Sequence, residues 1–194
     1  MKIVLASSSK YRKKLLLPLI PDLICISPNI DESFKTGESA TKYVKRLAYE
    51  KAAAIAIEQI HALVIGSDQC AVLEGNIISK PGNYEKAATQ LLESSGKYVT
   101  FYTGLCVINT DTNSLQVICE TFQVKFRKLS SLQIKSYLEK DEPYDCAGSF
   151  KAEGLGISLF EKMQGDDPNT LIGLPLIKLT SMLKAEDYDV ITST

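Results

Sequence analysis

Short apolar runs alternate with longer segments of helical period along this chain, a pattern that belongs to an α/β domain. Lys2–Ala6 reads as a first strand. The serines at 7–9 supply a polar turn and an N-cap, and Lys10–Leu17 reads as a helix that ends at Pro18. Leu23–Ser27 forms a second short strand ahead of an acidic loop at Asp31-Glu32. Ser39 or Thr41 caps a long helix reaching Gln59, with Val44, Leu47, Ala48, Ala54 and Ile55 on one face. Ala62–Leu73 is a strand with polar residues set inside it, and Glu74-Gly75-Asn76 turns it into a hairpin with Ile77 and Ile78. Asn83–Ser94 is an amphipathic helix stopped by Gly96. Val99–Asn109 and Leu115–Phe126 are β-rich and flank Asp111-Thr112-Asn113, so they pair as a long hairpin. Ser130–Lys140 and Leu174–Lys184 are helices, and Ala147–Gly156 is a loop with three glycines.

With 194 residues, 45% hydrophobic and 23% charged, the chain can bury a substantial core, which excludes disorder as its main state. Twenty-two Lys and Arg against 23 acids leave a net charge of -1, so no global attraction draws nucleic acid or anionic lipid and any phosphate binding is local. The apolar stretch Leu15–Ile20 is too short for a membrane span and carries Pro18, and the N-terminus lacks a signal-peptide pattern, which makes a cytoplasmic protein the expectation. Cys25, Cys70, Cys106, Cys119 and Cys146 are odd in number and widely spaced, and read as buried reduced thiols. His61 is the only histidine; beside Ala62–Ile65 it reads as a strand entrance, and triad or histidine-metal chemistry is disfavoured.

Several residues stand out against this background. Ser7-Ser8-Ser9 with Arg12 and Lys13 lies between a strand and a helix N-terminus, where hydroxyls, amides and a guanidinium suit a phosphate as well as an ordinary polar turn. Asp68, with Gly66, Ser67 and Gln69, sits inside an apolar strand, and a core carboxylate requires a partner unless Gly66 breaks the strand and frees it to solvent. Strand alternation sends Asp68 and Gln69 to opposite faces, so joint use in one site needs a twist or bulge. Lys51 follows the apolar stripe of the long helix, where either a cleft or a snorkelling stem accounts for it. Asp31-Glu32, with oxygens suited to a metal, and Lys80 on a stiff loop before Pro81 are further candidates, although such residues are more often solvated surface; Ser149, Lys151 and Glu153 lie in the glycine loop, where glycine serves either the approach of backbone to a ligand or a tight turn. Acids suited to a hard cation and bases suited to phosphate fit metal-assisted phosphoanhydride hydrolysis better than acyl transfer or redox chemistry. No Walker loop and no GxGxxG is present.

At these same positions the chain resembles the Maf family of nucleotide pyrophosphatases. Leu5-Ala6-Ser7-Ser8-Ser9-Lys10-Tyr11-Arg12 is similar to the family's opening motif, with Lys10 where proline is common. Asp31-Glu32, Glu50-Lys51-Ala52, Gly66-Ser67-Asp68-Gln69, Lys80-Pro81 and Phe101-Tyr102-Thr103-Gly104 follow in the family's order. Cys146–Gly154 and Asp167–Pro175 resemble the branch that hydrolyses 7-methyl-GTP, in which tryptophan often stands at the position of Tyr11.

The resemblance implies one domain over 1–194, built on an elongated mixed β-sheet with flanking helices and two lobes around a central cleft, in the Maf and ITPase-like manner. It implies Asp68 as proton acceptor and Tyr11, Gln69 and Glu153 as the residues that set base specificity. Tyr11 would stack on the cationic base and Glu153 would accept hydrogen bonds from its edge. Arg12, Lys51 and Lys80, with Ser7, would hold the triphosphate. Glu32 and Asp68 would be the ligands of a divalent cation, Mg2+, Mn2+ or Co2+. The expected reaction converts 7-methyl-GTP to 7-methyl-GMP and diphosphate, in a cytoplasmic protein without nucleic-acid or membrane partners, for which a homodimer is one of the assemblies the sequence leaves open. A preference for dTTP or UTP, or a non-catalytic nucleotide-binding role in regulating cell division, are the alternatives.

Overall fold

The structure is a computed structural model describing residues 1–193. In chain order it contains β1 (Lys2–Ala6), α1 (Lys10–Leu16), β2 (Ile24–Ile26), α2 (Ala40–Ala56), β3 (Ala62–Leu73), β4 (Asn76–Ile78) and α3 (Tyr84–Ser94). These are followed by β5 (Tyr98–Asn109), β6 (Leu115–Phe126), α4 (Ser131–Asp141), a 3-10 turn (Leu155–Leu159), β7 (Phe160–Gln164), α5 (Asn169–Ile172) and α6 (Leu176–Lys184). The helix starts are chemically specified. Ser9, Ser39 and Asn83 each accept a hydrogen bond from the backbone amide three residues on, and Ser130 and Gln133 form a reciprocal capping box. Of the two candidate caps for α2, Ser39 is the one used, and the helix stops at Ala56, short of Gln59.

The strands form one mixed sheet in the order β2-β1-β3-β5-β6-β7, with β4 paired to β3 off this path, and helices flank it as the sequence led us to expect. β1 pairs in parallel with both β2 and β3, while β4 and β7 pair antiparallel with β3 and β6. The chain divides into two compact units. The first comprises Met1–Asp68, Thr103–Glu120 and the segment from Gly173 onward; the second comprises Gln69–Tyr102 and Thr121–Ile172.

In the first unit, strand alternation sorts side chains onto two faces of the parallel strands. Ile3, Leu5, Leu63 and Ile65 pack with Leu16 of α1 and with Leu179, Met182 and Leu183 of α6. Val4, Ala6, Ala62 and Val64 pack with Ala48, Ala52 and Ile55 of α2. In the second unit the core is aromatic: Phe101, Phe126, Phe150 and Phe160 meet edge to face with centroids 4.7–5.7 Å apart.

The cysteines correct one expectation. Only Cys70 and Cys106 are buried; Cys25 is exposed because it lies on the edge strand β2, and Cys119 and Cys146 are partly accessible, although all five are free thiols. Burial pushes the Cys106 thiol up to about 12. His61 stands exposed just before β3, its ring nitrogen Nδ1 2.9 Å from Asp111. Among the described residues no helix is long and apolar enough to cross a membrane.

Candidate active site

The topology points to one end of the first unit. β1 lies between β2 and β3, the crossover from β1 to β2 through α1 and that from β2 to β3 through α2 pack on opposite faces, and open parallel sheets bind ligands outside the carboxyl ends of strands at such a switch. The parallel register sets Ala6 opposite Gly66. The residues that follow, Ser7 on one strand and Ser67-Asp68 on the other, therefore emerge together. All three are buried.

Alternation along β3 decides their partners. Asp68 shares the face of Ala62, Val64 and Gly66, the face covered by α2. A Cβ at Gly66 would lie 2.1 Å from the carbonyl oxygen of Ala48, and one at Gly104 would lie 2.1 Å from that of Val44. These two glycines bring the backbone of α2 against the sheet. Gly66 thus does not break β3; the strand continues through it and Asp68 is only 7% exposed.

The close approach delivers Lys51 to Asp68. Its stem is buried on the inner face of α2, and its ammonium donates to Asp68 Oδ1 at 2.6 Å and lies 2.9 Å from Glu32 Oε1. Lys51 does not snorkel into solvent; it is 6% exposed. The Glu32 side chain retains 55% of its surface. Lys51 engages only Oδ1 of Asp68, and no other hydrogen bond to this carboxylate is found among the described residues, so its second oxygen keeps acceptor capacity.

The acidic loop is strapped onto α2. Asp31 spends its carboxylate on the amide and hydroxyl of Ser33, at 2.9 and 2.8 Å, bonds that hold it below the usual aspartate range. The Tyr43 hydroxyl donates to the Glu32 carbonyl at 3.0 Å. Arg46 forms a two-toothed bond to Glu38 at 2.7 and 2.8 Å and donates to Glu50 and to the Ser33 carbonyl, each at 3.0 Å.

Arg12 supplies a second cation. It lies in the first turn of α1, whose cap Ser9 accepts from the Arg12 amide, while Ser7 Oγ accepts from the Ser9 amide at 3.1 Å. Its Nε donates to the Gly173 carbonyl at 2.7 Å. Neighbouring atoms crowd the guanidinium, though some of its surface is open; this burial lowers its pKa against the opposing pull of Asp68 and Glu32. Tyr11 is half-buried beside it, with the Lys10 ammonium 5.0 Å from its ring centroid.

Gln69, Lys80 and Glu153 belong to the second unit. Gln69 leaves β3 on the face opposite Asp68 and donates from Nε2 to the carbonyls of Thr170 and Leu171, at 2.7 and 3.3 Å. Lys80 and Glu153 are exposed. The loop that carries Glu153 is anchored by its neighbours. The Lys151 amide donates to the Tyr137 hydroxyl, which donates to Asp141, and the Lys151 ammonium bonds the Asp141 carbonyl. Arg12, Lys51, Asp68 and Glu32 are therefore the residues that named interactions bring together in the first unit. The roles of Gly66 and Gly104 as packing contacts, of Gly173 as an acceptor and of Arg46 as a strap had no signal in the sequence, because each depends on a neighbour distant along the chain.

A buried carboxylate beside two cations and at the ends of parallel strands can orient water next to a bound polyanion. A protein of Pseudomonas fluorescens named 7-methyl-GTP pyrophosphatase is 55% identical over 187 residues, covering 96% of this chain and 97% of its own length. One of Pseudoalteromonas atlantica with the same name is 54% identical, covering 98% and 97%. The solved structure of the Staphylococcus aureus Ham1 protein, 16% identical, covers 96% of this chain and 100% of its own with a TM-score of 0.57, a likeness of fold. The Maf-like protein family matches residues 2–186, and with relatives of this identity over nearly the full length the chain belongs to the Maf family.

Proposed function

We propose that this protein is a nucleoside triphosphate pyrophosphatase that cleaves 7-methyl-GTP to 7-methyl-GMP and diphosphate. The observation that carries the reading is the Lys51 ammonium held between Asp68 and Glu32, with Arg12 close enough to feel both carboxylates. The printed names of relatives at 54–55% identity support the choice of substrate.

Asp68 is positioned to accept a proton from water as the water oxygen attacks the α-phosphorus. The bond from that phosphorus to its β-bridging oxygen breaks, and diphosphate leaves with the bonding pair. Lys51 holds one oxygen of Asp68 in place, which leaves the other to orient the water. Arg12 and Lys51 offset the charge that builds on the phosphate oxygens, and Ser7, the residue after β1, is assigned to the phosphates with them. Lys80 is the third cation assigned to the polyphosphate. Tyr11, Gln69 and Glu153 are assigned to the base.

The acids present fit a divalent cation shared with substrate. Asp68 and Glu32 offer hard oxygen donors around one ammonium, and among the described residues no group of three or more His, Cys, Asp or Glu side chains forms a cage. Magnesium-type ions use one or two carboxylates when phosphates complete the coordination. Glu32 and Asp68 would hold such an ion, Mg2+, Mn2+ or Co2+, which when bound supplies charge neutralisation on the phosphates.

Release of diphosphate from a panel of 7-methyl-GTP, GTP, dTTP, UTP and CTP tests the proposal. The expected order places 7-methyl-GTP first; faster turnover of dTTP or UTP would overturn the substrate. Asp68→Asn, which keeps the shape of the side chain, is expected to lower kcat by about 10²–10⁴-fold while nucleotide still binds. Full activity in that variant would remove Asp68 from the chemistry, and a protein that binds nucleotides without hydrolysing any would favour a regulatory module.

A further inference from the structure

Arg12 is held by a backbone carbonyl 161 residues further along the chain. Gly173 has φ +110, in the left-handed region, and its carbonyl accepts from Arg12 Nε at 2.7 Å. Ser67 Oγ lies 2.9 Å from the same oxygen and 2.8 Å from the Gly104 carbonyl. Because a hydroxyl has one proton and a carbonyl oxygen two lone pairs, the Gly173 oxygen can take both donors while Ser67 shares its proton between two acceptors. Ser67 is fully buried, so this hydroxyl does not compete with water. A Cβ at position 173 would lie 3.3 Å from Arg12 Nε and 3.4 Å from Nη2, which means the guanidinium also rests against the bare α-carbon.

The arrangement answers a problem set by charge. Asp68 and Glu32 both attract Arg12, yet among the described residues Arg12 forms no ion pair with either. An arginine left to its rotamers next to two carboxylates would fold onto one of them and lose its fork. Holding Nε elsewhere prevents that, and since among the described residues no hydrogen bond or ion pair engages Nη1 or Nη2, both remain for a ligand.

We propose that Gly173 is a positioning residue: its carbonyl, anchored a second time by Ser67, pins Nε of Arg12 so that Nη1 and Nη2 form a preset fork for the substrate polyphosphate. This rests on the phosphate-holding role of Arg12 proposed above. It goes further in naming the groups that set that residue's geometry.

A double-mutant cycle between Gly173→Ala and Arg12→Lys tests it, read as kcat and KM for 7-methyl-GTP and, in parallel, as the Kd of inorganic tripolyphosphate by calorimetry. Lysine keeps the charge at position 12 but has no Nε–H to pin. Gly173→Ala is expected to lower kcat/KM and weaken tripolyphosphate by about tenfold or more in the native background, consistent with the cost of misplacing a clamp by a fraction of an ångström. In the Arg12→Lys background the same change is expected to matter by less than about twofold, since the two residues act as one unit. Equal losses in both backgrounds would show general damage and overturn the inference. Should Gly173→Ala fail to fold, Ser67→Ala in both backgrounds provides the same cycle, with a smaller native loss and the same dependence on Arg12 expected. A native protein that binds tripolyphosphate with this coupling but leaves 7-methyl-GTP intact would sink the proposed activity and spare the clamp. Hydrolysis of 7-methyl-GTP with additive losses would do the reverse, and a native protein that binds no tripolyphosphate and hydrolyses no 7-methyl-GTP would overturn both.

Discussion

The dependence of the Lys51–Asp68 pair on helix placement can be tested from outside the pair. In Gly66→Ala the new Cβ would lie 2.1 Å from the Ala48 carbonyl oxygen and 2.9 Å from both the Ala52 Cβ and the Ala52 nitrogen. Two of these atoms are backbone, so no rotamer change relieves them. To reach the 3.4 Å at which ordinary contact begins, α2 must retreat from the strand by about 1.3 Å, the difference between 3.4 and 2.1. Carried along the helix, that shift stretches the 2.6 Å bond between Lys51 Nζ and Asp68 Oδ1 toward about 3.9 Å, beyond hydrogen-bonding range. Overpacking of this kind costs about 1–3 kcal/mol, and a chain of this length loses about 2–4 °C in Tm per kcal/mol, so a fall of roughly 2–12 °C is expected. A displacement on the order of 1 Å in a catalytic group costs about 10²-fold in rate. Thermal unfolding by circular dichroism, together with kcat/KM for 7-methyl-GTP measured well below the variant's Tm, reads both effects on the same sample. A lowered Tm with native kcat/KM would refute the link between helix placement and the catalytic role proposed for Lys51 and Asp68, and an unchanged Tm would refute the close approach itself. Gly104→Ala, whose Cβ would lie 2.1 Å from the Val44 carbonyl, repeats the test from a second strand.

Two further outcomes follow from charges away from the pair. Arg46→Met removes the ties to Glu38, Glu50 and the Ser33 carbonyl, and is expected to destabilise by about 1–2 kcal/mol and to speed amide hydrogen exchange across residues 32–38; exchange at the native rate would mean that Arg46 does not hold the loop. Burial raises the pKa of Glu186, but hydrogen bonds from Ser114, Asn109 and Gln116 outweigh it and leave the carboxyl below its ordinary 4.5. A depressed carboxylate adds stability above its unfolded pKa and loses it as pH falls through the folded one, so acid is expected to lower the native Tm more steeply than that of Glu186→Gln below about 4.5. Parallel Tm-against-pH curves for the two proteins would contradict this assignment.

Local chemistry makes most elements legible in the sequence. Serine or threonine caps marked the starts of α1, α2 and α4, an amphipathic run stopped by Gly96 marked α3, and apolar runs bounded by turn residues marked β1, β3, β5 and β6. Where local signal is faint, the reading failed. β7 is a polar edge strand with only β6 as neighbour, and α5 has four residues, too few to show a helical period. Asp68 was legible as a carboxylate that an apolar strand could not bury alone, since desolvation of a charge is costly wherever it occurs.

The amino-acid sequence by itself determined the α/β order of elements, the capped starts of most helices and, for a strand unbroken at Gly66, the need of Asp68 for a partner, because each follows from residues within a few positions of one another. Only the tertiary structure decided that the partner is Lys51, 17 residues earlier on another element, and that Arg12 is pinned by a carbonyl 161 residues away. Both contacts exist because α2 lies against Gly66 and Gly104, and because Gly173 adopts a left-handed backbone beside the guanidinium. Distances between packed elements are set by which side chains are absent at the contact, and that information is shared between segments that no local pattern relates.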